Sequence, residues 1–293
     1  MNDRPITLIA GKDSTVGRAL MAHLRRTGEV VLGTTRRHEP VNEFTLYLDL
    51  SKDVENWKCP WPVNVAYICA GITNLEACKH DSEGTANINV KGTFTLVKNL
   101  VRSGAFVIYL SSNQVFDGSI CYRLPDDPVS PITEYGRQKA MAESQINQYG
   151  ESVAIVRFTK IISPRHPLFS NWAESMKKGK IIQPFSDMFM APVPLIFAVS
   201  VLRLVGDLRL AGILQVSGER DVSYDEAARI GTRLLGLDSD LVQPIEACRS
   251  GVFTESVPAH TTLNINRLKS TLGIMPPDVQ WTIEKAFENL EGR

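Results

Sequence analysis

The chain has 293 residues, with 32 Lys+Arg against 32 Asp+Glu, so its formal net charge is zero. That length can bury a sizeable core as one large α/β domain or two unequal ones, and the charge balance speaks against a nucleic acid or an anionic membrane recognised by bulk electrostatics. Five cysteines, Cys59, Cys69, Cys78, Cys121 and Cys248, form no Cys-x-x-Cys pair; neither a disulfide framework nor a zinc site is expected, and reduced thiols in a cytoplasmic protein are the plain reading.

Ile6-Thr7-Leu8-Ile9-Ala10 predicts a first strand, too short for the apolar core of a signal peptide. Gly11-Lys12-Asp13-Ser14-Thr15-Val16-Gly17 follows as a turn, and Arg18 to Leu24 as a helix. Strand, glycine turn and helix in that order make a phosphate cradle, because free amides at a helix start favour an anion. The spacing is Gly-x-x-Gly-x-x-Gly with Ser14 in the middle place, a small residue that could donate a hydrogen bond of its own. Taken alone, the turn fits a cofactor cradle and a simple tight turn equally well. It is not a Walker A loop, since no Gly-Lys-Ser/Thr follows at the required spacing.

Val30 to Thr34 predicts the second strand. A dinucleotide site would place an acid after it, on the adenosine ribose, but here Thr34-Thr35-Arg36-Arg37 stand instead. A guanidinium binds a 2′-phosphate that a carboxylate would repel, so Arg36 points to NADP rather than NAD; solvated surface arginines are the alternative. Leu46-Tyr47-Leu48-Asp49-Leu50 reads as a third strand, with Asp49 placed to meet an adenine amino group. Val65 to Cys69 reads as a fourth, after which Ala70-Gly71 lets a flat ligand pass close to the chain. A helix from about Glu83 to Val101, carrying Asn87, Asn89 and Gly92, closes another unit. Repeated β-α-β order implies a parallel sheet with right-handed crossovers.

The apolar run Val107 to Leu110 predicts a buried strand that delivers Ser111-Ser112-Asn113-Gln114 to its carboxyl end. A loop rich in turn residues leads from there to a helix carrying Tyr135 and Lys139, four apart and on one face. A tyrosine titrates near 10, and an adjacent ammonium favours the phenolate. With a serine hydroxyl to hold a carbonyl or alcohol oxygen against that phenol, the group reads as a proton-transfer site at an oxygen. A half-buried helix pair is the structural alternative.

Val153 to Arg157 predicts one more buried strand. The remaining third is punctuated by Pro164, Pro167, Pro184, Pro192 and Pro194, and is expected as short irregular pieces. Within it Ser223-Tyr224-Asp225-Glu226 reads as a capping box for a helix with Ala227, Ile230 and Leu234 inward, and Leu263 to Leu272 and Trp281 to Leu290 as two more helices. Val193 to Leu202, the longest apolar stretch here, is broken by Pro194 and Ser200 and falls short of the ~20 residues that span a bilayer. His23, His38, His80, His166 and His260 show no metal-ligand spacing, and Cys69 reads as a small packing residue rather than a nucleophile.

These motifs together resemble the extended short-chain dehydrogenase/reductase superfamily, and within it the dTDP-4-dehydrorhamnose reductase-like branch. The likeness runs through Gly11 to Gly17, Cys69-Ala70-Gly71, Asn89-Val90-Lys91-Gly92-Thr93, Ser111 to Gly118, Tyr135-Gly136-Arg137-Gln138-Lys139 and Leu214 to Gly218. It implies a Rossmann-type doubly wound α/β sheet over residues 1–160 and a smaller substrate lobe over 161–293, parts of which return to the sheet. It implies a cofactor held by Gly11, Ser14, Thr15, Val16, Gly17, Arg36, Asp49, Leu50, Cys69, Ala70, Gly71, Asn89, Tyr135 and Lys139. Ser112 would hold the substrate oxygen, Tyr135 would give it a proton, and Lys139 would bind the nicotinamide ribose and acidify Tyr135. Related dehydratases carry Asp-Glu where Asn113-Gln114 stand; amides cannot exchange protons near neutral pH, so dehydration is not expected.

The reading that follows is an NADP-dependent reductase of a keto group on a nucleotide-linked sugar. An epimerase with tightly held NAD is one alternative. A non-catalytic cofactor-binding subunit, like the regulatory subunit of methionine adenosyltransferase, is another. No nucleic-acid or membrane partner is expected, and exposed helices beside the site could pair two copies.

Overall fold

Seven short apolar runs pair into one parallel sheet in the computed structural model of this chain, which describes residues 5–37, 42–249 and 258–288. Among these residues the structure forms two compact units. One comprises Met1–Phe116, Pro125–Arg157 and Ala198–Leu214, the other Asp117–Leu124, Phe158–Phe197 and Gln215–Arg293.

The sheet grows outward from β1 (Ile6–Ala10), whose last four residues are buried. On one side lie β2 (Val30–Thr35) and β3 (Thr45–Tyr47); on the other lie β4 (Val65–Ile68), β5 (Phe106–Ser112), β6 (Val153–Phe158) and the later strand β10 (Gly212–Val216). The order β10-β6-β5-β4-β1-β2-β3 therefore changes direction between β1 and β4. Open α/β sheets bind ligands outside the carboxyl ends of strands at such a point. The register aligns Ala10 with Ile68, so Gly11 and Cys69 leave the sheet side by side, and Ile68 with Tyr109, so Ser111 and Ser112 lie beyond the end of β4.

The helices of this unit exist because each presents an apolar stripe to the sheet. On α1 (Thr15–Arg26), Gly17, Leu20 and Leu24 are buried. The segment expected as one helix is assembled from α2 (Leu75–His80), α3 (Ser82–Ala86), a π-helical turn over Asn87–Gly92 and α4 (Thr93–Arg102). On α5 (Glu134–Ile146) the buried face carries Tyr135, Lys139, Ala142, Glu143 and Ile146, charged residues among them. The core centres on Leu8, Ile68, Leu96, Val97, Val107, Tyr109, Ile146 and Ile155.

The second unit packs α6 (Pro167–Lys177), α8 (Tyr224–Leu234) and α10 (Val279–Glu288) around Phe169 and Phe287, whose rings meet edge to face at 5.3 Å. It also holds the parallel pair β7 (Ile161–Ile162) and β9 (Val193–Pro194), the antiparallel pair β8 (Phe189–Met190) and β11 (Val222–Ser223), and α9 (Asn266–Leu272). The helix α7 (Leu195–Asp207) runs into Ala198–Leu214, the segment that belongs to the first unit.

Several expectations shift. The third strand ends at Tyr47, because Ser51 N and Oγ donate to Asp49 Oδ1 and curl the chain into an Asx turn. The proline-rich third is more helical than its punctuation suggests. Pro167 stands in the first turn of α6, where its missing N–H costs nothing, and the run after Pro194 is the 13-residue α7. The capping box at Ser223 is half made: Ser223 Oγ accepts from Glu226 N, but the Glu226 carboxylate pairs with Arg220 instead of returning. The α9 helix starts at Asn266, three residues late, since the side chain of Asn264 accepts from Asn266 N. Leu290 and His38 lie outside the described residues, as does the side chain of Cys248. Cys59, Cys69, Cys78 and Cys121 are free thiols.

His166 is built into the start of α6: its Nδ1 accepts from Leu168 N at 3.3 Å, which requires a neutral ring. Burial, with the Lys160 charge adding to it, pushes this imidazole down from 6.5 to about 4. A group depressed on folding contributes stability that is whole above its unfolded value, and loses it as pH falls from 6.5 toward 4. Urea midpoints followed between about pH 7 and pH 4.5 are expected to fall more steeply for the wild-type protein than for His166→Gln.

Candidate active site

The turn after β1 bends at Gly11, whose φ of +89° and position beside Ala70 leave no room for a side chain; a Cβ there would lie 2.6 Å from Ala70 N. Ser14 caps α1, accepting from Gly17 N at 3.0 Å and donating to Gly11 O at 2.9 Å. Its hydroxyl proton is thus committed inside the turn. The hydrogen bond that this serine was expected to be able to donate goes to the turn's own carbonyl, while its oxygen serves as the N-cap acceptor of the helix. The first-turn amides of Thr15 and Val16 are of the kind that an α-helix leaves without an intrahelical acceptor. From the next strand, Thr34 Oγ1 accepts from Gly11 N at 3.0 Å, and Thr35 donates to Asp13 Oδ2 at 2.5 Å while accepting from Arg37 N.

Beside this turn opens a cleft of about 290 Å³, lined among others by Gly11, Ser14, Arg36, Asp49, Leu50 and Gly71. Cys69, Ala70 and Ile88 line it as well. Thr15, Val16, Gly17 and Asn89, expected in the same site, are not among its lining residues. Arg36 is exposed at its edge. Burial raises the Asp49 carboxyl, but the two hydrogen bonds from Ser51 and then the charges of Lys52 and Arg36 outweigh it, leaving the group below its ordinary value. Asn89 is buried behind Gly71: its Oδ1 accepts from Ile72 N, and its Nδ2 donates to Ile72 O and to Gln138 Oε1. Asn89 thus ties the loop after β4 to α5. Burial raises the Cys69 thiol to about 12, in keeping with a neutral packing residue.

Beyond β4, the carboxyl end of β5 brings Ser112 to α5. The Ser112 hydroxyl accepts from Gln114 N at 3.2 Å and donates to Asn113 Oδ1 at 3.4 Å, and it lies near enough to the Tyr135 phenol to act on its proton affinity. The helix comes this close because residue 136 is glycine; a Cβ there would sit 2.1 Å from Gln114 O. Gln114 Oε1 accepts from Thr133 Oγ1, so this amide ties the strand end to the cap of α5. The Lys139 ammonium donates to Leu110 O at 2.7 Å and lies over the Tyr109 ring, 4.5 Å from its centroid, and 5.8 Å from that of Tyr135.

The electrostatics differ from expectation in one respect. Tyr135 is raised, not lowered: burial is the largest cause, and the nearby Ser112 hydroxyl offsets only part of it. The Lys139 ammonium, expected to acidify the phenol, donates instead to the Leu110 carbonyl of β5. Burial lowers Lys139 from 10.5 to about 8, against the raising effect of Glu143. At neutral pH the pair is a protonated phenol beside an ammonium. Such an arrangement can hold an oxygen between two hydroxyls and give it a proton.

Sequence reasoning overlooked Tyr109, the carbonyl of Leu110, and the buried pair of Glu143 and Arg157. Two signals pointed to that pair: an acid one further turn along the Tyr135 and Lys139 face, and an arginine in an otherwise apolar strand.

The fold is shared with dTDP-4-dehydrorhamnose reductases of Clostridium acetobutylicum and Yersinia enterocolitica, which superpose with TM-scores of 0.86 and 0.85 at 20 % identity. Residues 6–291 match the RmlD substrate binding domain, and the chain belongs to that family. It is 25 % identical over 196 residues to a probable low-salt glycan biosynthesis reductase of Haloferax volcanii, covering 63 % of this chain and 65 % of the relative. It is 28 % identical over 151 residues to the methionine adenosyltransferase 2 subunit beta of Rattus norvegicus, covering 51 % of this chain and 45 % of that protein. The match thus spans less than two thirds of either relative. A dTDP-4-dehydrorhamnose reductase of Bacillus anthracis, solved in complex with NADP, superposes with a TM-score of 0.85 over 98 % of this chain and 99 % of its own, at 17 % identity. Among the described residues no helix is long and apolar enough to cross a membrane, and no cluster of ligating side chains fits a metal ion.

Ser14 offers a test of the turn's construction. Ser14→Ala, which removes the cap, is expected to cost about 1 kcal/mol in urea denaturation. An unchanged midpoint would mean that the cap bond contributes nothing.

Proposed function

We propose that this protein is an NADP-dependent reductase of a keto group on a nucleotide-linked sugar. The observation that carries the reading is the convergence of Ser112 from the end of β5 with Tyr135 and Lys139 on one buried face of α5, the Lys139 ammonium lying 5.8 Å from the centroid of the Tyr135 ring. Ser112 would hold the substrate oxygen, and Tyr135, protonated at neutral pH, would give its proton to that oxygen as negative charge develops on it. Lys139 would then stabilise the phenolate. When bound, a reduced nicotinamide supplies the hydride.

The residues of the cleft fit a dinucleotide. A side chain at Gly11 would collide with Ala70, so the turn stays bare backbone beside the first-turn amides of Thr15 and Val16. Gly17, Asp49, Leu50, Cys69, Ala70, Gly71 and Asn89 complete the proposed cofactor site. Arg36 supports NADP over NAD, since it offers a cation where a 2′-phosphate would lie. The sugar nucleotide is assigned mainly to residues 161–293.

The likeness to methionine adenosyltransferase subunits supports a second reading, a cofactor-binding regulatory subunit. Loss of absorbance at the reduced-nicotinamide band with a panel of nucleotide 4-keto sugars is the expected result for the enzyme. Co-purification with an adenosyltransferase and no turnover is the result for the regulator, and NAD surviving gel filtration would favour an epimerase.

Tyr135→Phe is expected to lower turnover by about 10²–10⁴-fold with NADP binding intact; undiminished turnover would remove Tyr135 from the mechanism. Arg36→Ala is expected to weaken NADP by roughly 10–100-fold, the worth of one charge-assisted hydrogen bond, and to leave NAD unchanged. Equal weakening of both nucleotides would withdraw the NADP assignment.

A further inference from the structure

We infer that the buried Glu143–Arg157 pair is a positioning device for Lys139, a fixed negative charge one helical turn behind the ammonium that keeps it charged and docked on Leu110 O. The inference rests on the reading of Lys139 as part of the reductase site, but its geometry stands by itself.

Tyr135, Lys139 and Glu143 follow one another at four-residue spacing on α5, and all three are buried. Residues so spaced have Cβ atoms about 5–6 Å apart on one helix face. The Glu143 carboxylate is locked by a forked contact: Arg157 Nε reaches Oε1 at 3.0 Å and Oε2 at 3.2 Å, and Nη2 reaches Oε2 at 2.7 Å. Arg157 is itself fixed by donating from Nη1 to Pro125 O and by lying 5.1 Å from the Phe116 ring centroid. Both side chains are almost fully buried.

A buried ion pair is poor value as a source of stability, because desolvating two charges offsets most of their attraction. Here it sits beside a third buried charge that needs a counter-charge. The groups that act on Lys139 are Glu143 on its own helix, Cys69 after β4, and Cys78 on α2. Tyr109 and the Leu110 carbonyl face it from β5, and Tyr135 from α5. Burial raises both thiols and both phenols, which leaves them neutral at pH 7. Glu143 therefore carries the negative charge in this group. It raises Lys139, which burial otherwise lowers, and Arg157 holds the carboxylate in place. The ammonium so maintained is the one that would meet the proposed nicotinamide ribose and the Tyr135 phenolate.

The test is a titration of Lys139 in the full chain. Lysine labelled with ¹³C at Cε gives one resonance per side chain, and Lys139→Arg identifies the one in question. Glu143→Gln keeps the shape and removes the charge. The Lys139 midpoint is expected to fall by about one pH unit, a tenfold change in protonation. Glu143→Asp, which retains the charge but draws it back, should give a smaller fall in the same direction, and it serves as the test if Glu143→Gln does not fold.

A midpoint unchanged in the folded variant overturns the inference. In the enzyme the alkaline limb of the turnover profile should move down with the midpoint, an effect that a purely structural pair would not produce. A midpoint that falls in Glu143→Gln, with a wild-type chain that neither binds NADP nor reduces any sugar, leaves this inference standing and removes the redox reading. Turnover with an unmoved midpoint does the reverse.

Discussion

The site depends on one hydrogen bond, from the Lys139 ammonium to the carbonyl of Leu110. Removing an ammonium from water costs several kcal/mol unless its donors and its charge are met. Here β5 meets a donor with its own backbone, Tyr109 offers the face of its ring, and Glu143 supplies opposite charge. The consequence is mechanical as well as electrostatic. A helix tethered to the strand end at Lys139 has Tyr135 one turn earlier on the same buried face, beside Ser112. Gly136 allows that approach, because its missing side chain is replaced by the carbonyl of Gln114.

The glycine-turn cleft depends on the sheet in the same way. Its walls come from the loops after β1, β2, β3 and β4, segments that are far apart in the chain and adjacent only because the strand order reverses beside β1. Hydrogen bonds from one loop to the next hold it open: Gly11 N to Thr34, Thr35 to Asp13, and Ile72 N to Asn89. Asn89 bonded to Gln138 then couples the cleft to α5, so the two halves of the candidate site share one hydrogen-bonded framework. Every link lies within the first compact unit.

Much of this was legible in the sequence where a local rule and the tertiary demand coincide. Ile6 to Ala10 and Val153 to Arg157 are mainly apolar runs, and each forms a strand that is largely buried. Ser223 reads as a helix cap and acts as one. Legibility failed where a local signal has two meanings. Proline at 167 was read as a breaker, though it is equally a helix initiator, and α6 begins there. The stretch after Pro194 has almost no polar face to mark its period, so α7 was hidden in it.

Residue types, their order and their spacing by themselves determined the parallel α/β sheet, the glycine turn, and the sharing of one helix face by Tyr135 and Lys139, because these follow from backbone periodicity and from steric rules within a few residues. The tertiary structure alone decided where each proton and charge goes. Ser14 spends its hydroxyl on the helix cap, the Tyr135 phenol is raised rather than acidified, and Lys139 turns to Leu110 with Glu143 and Arg157 behind it. The reason is that desolvation and charge–charge energies depend on distances through space, between groups that the chain brings together only on folding.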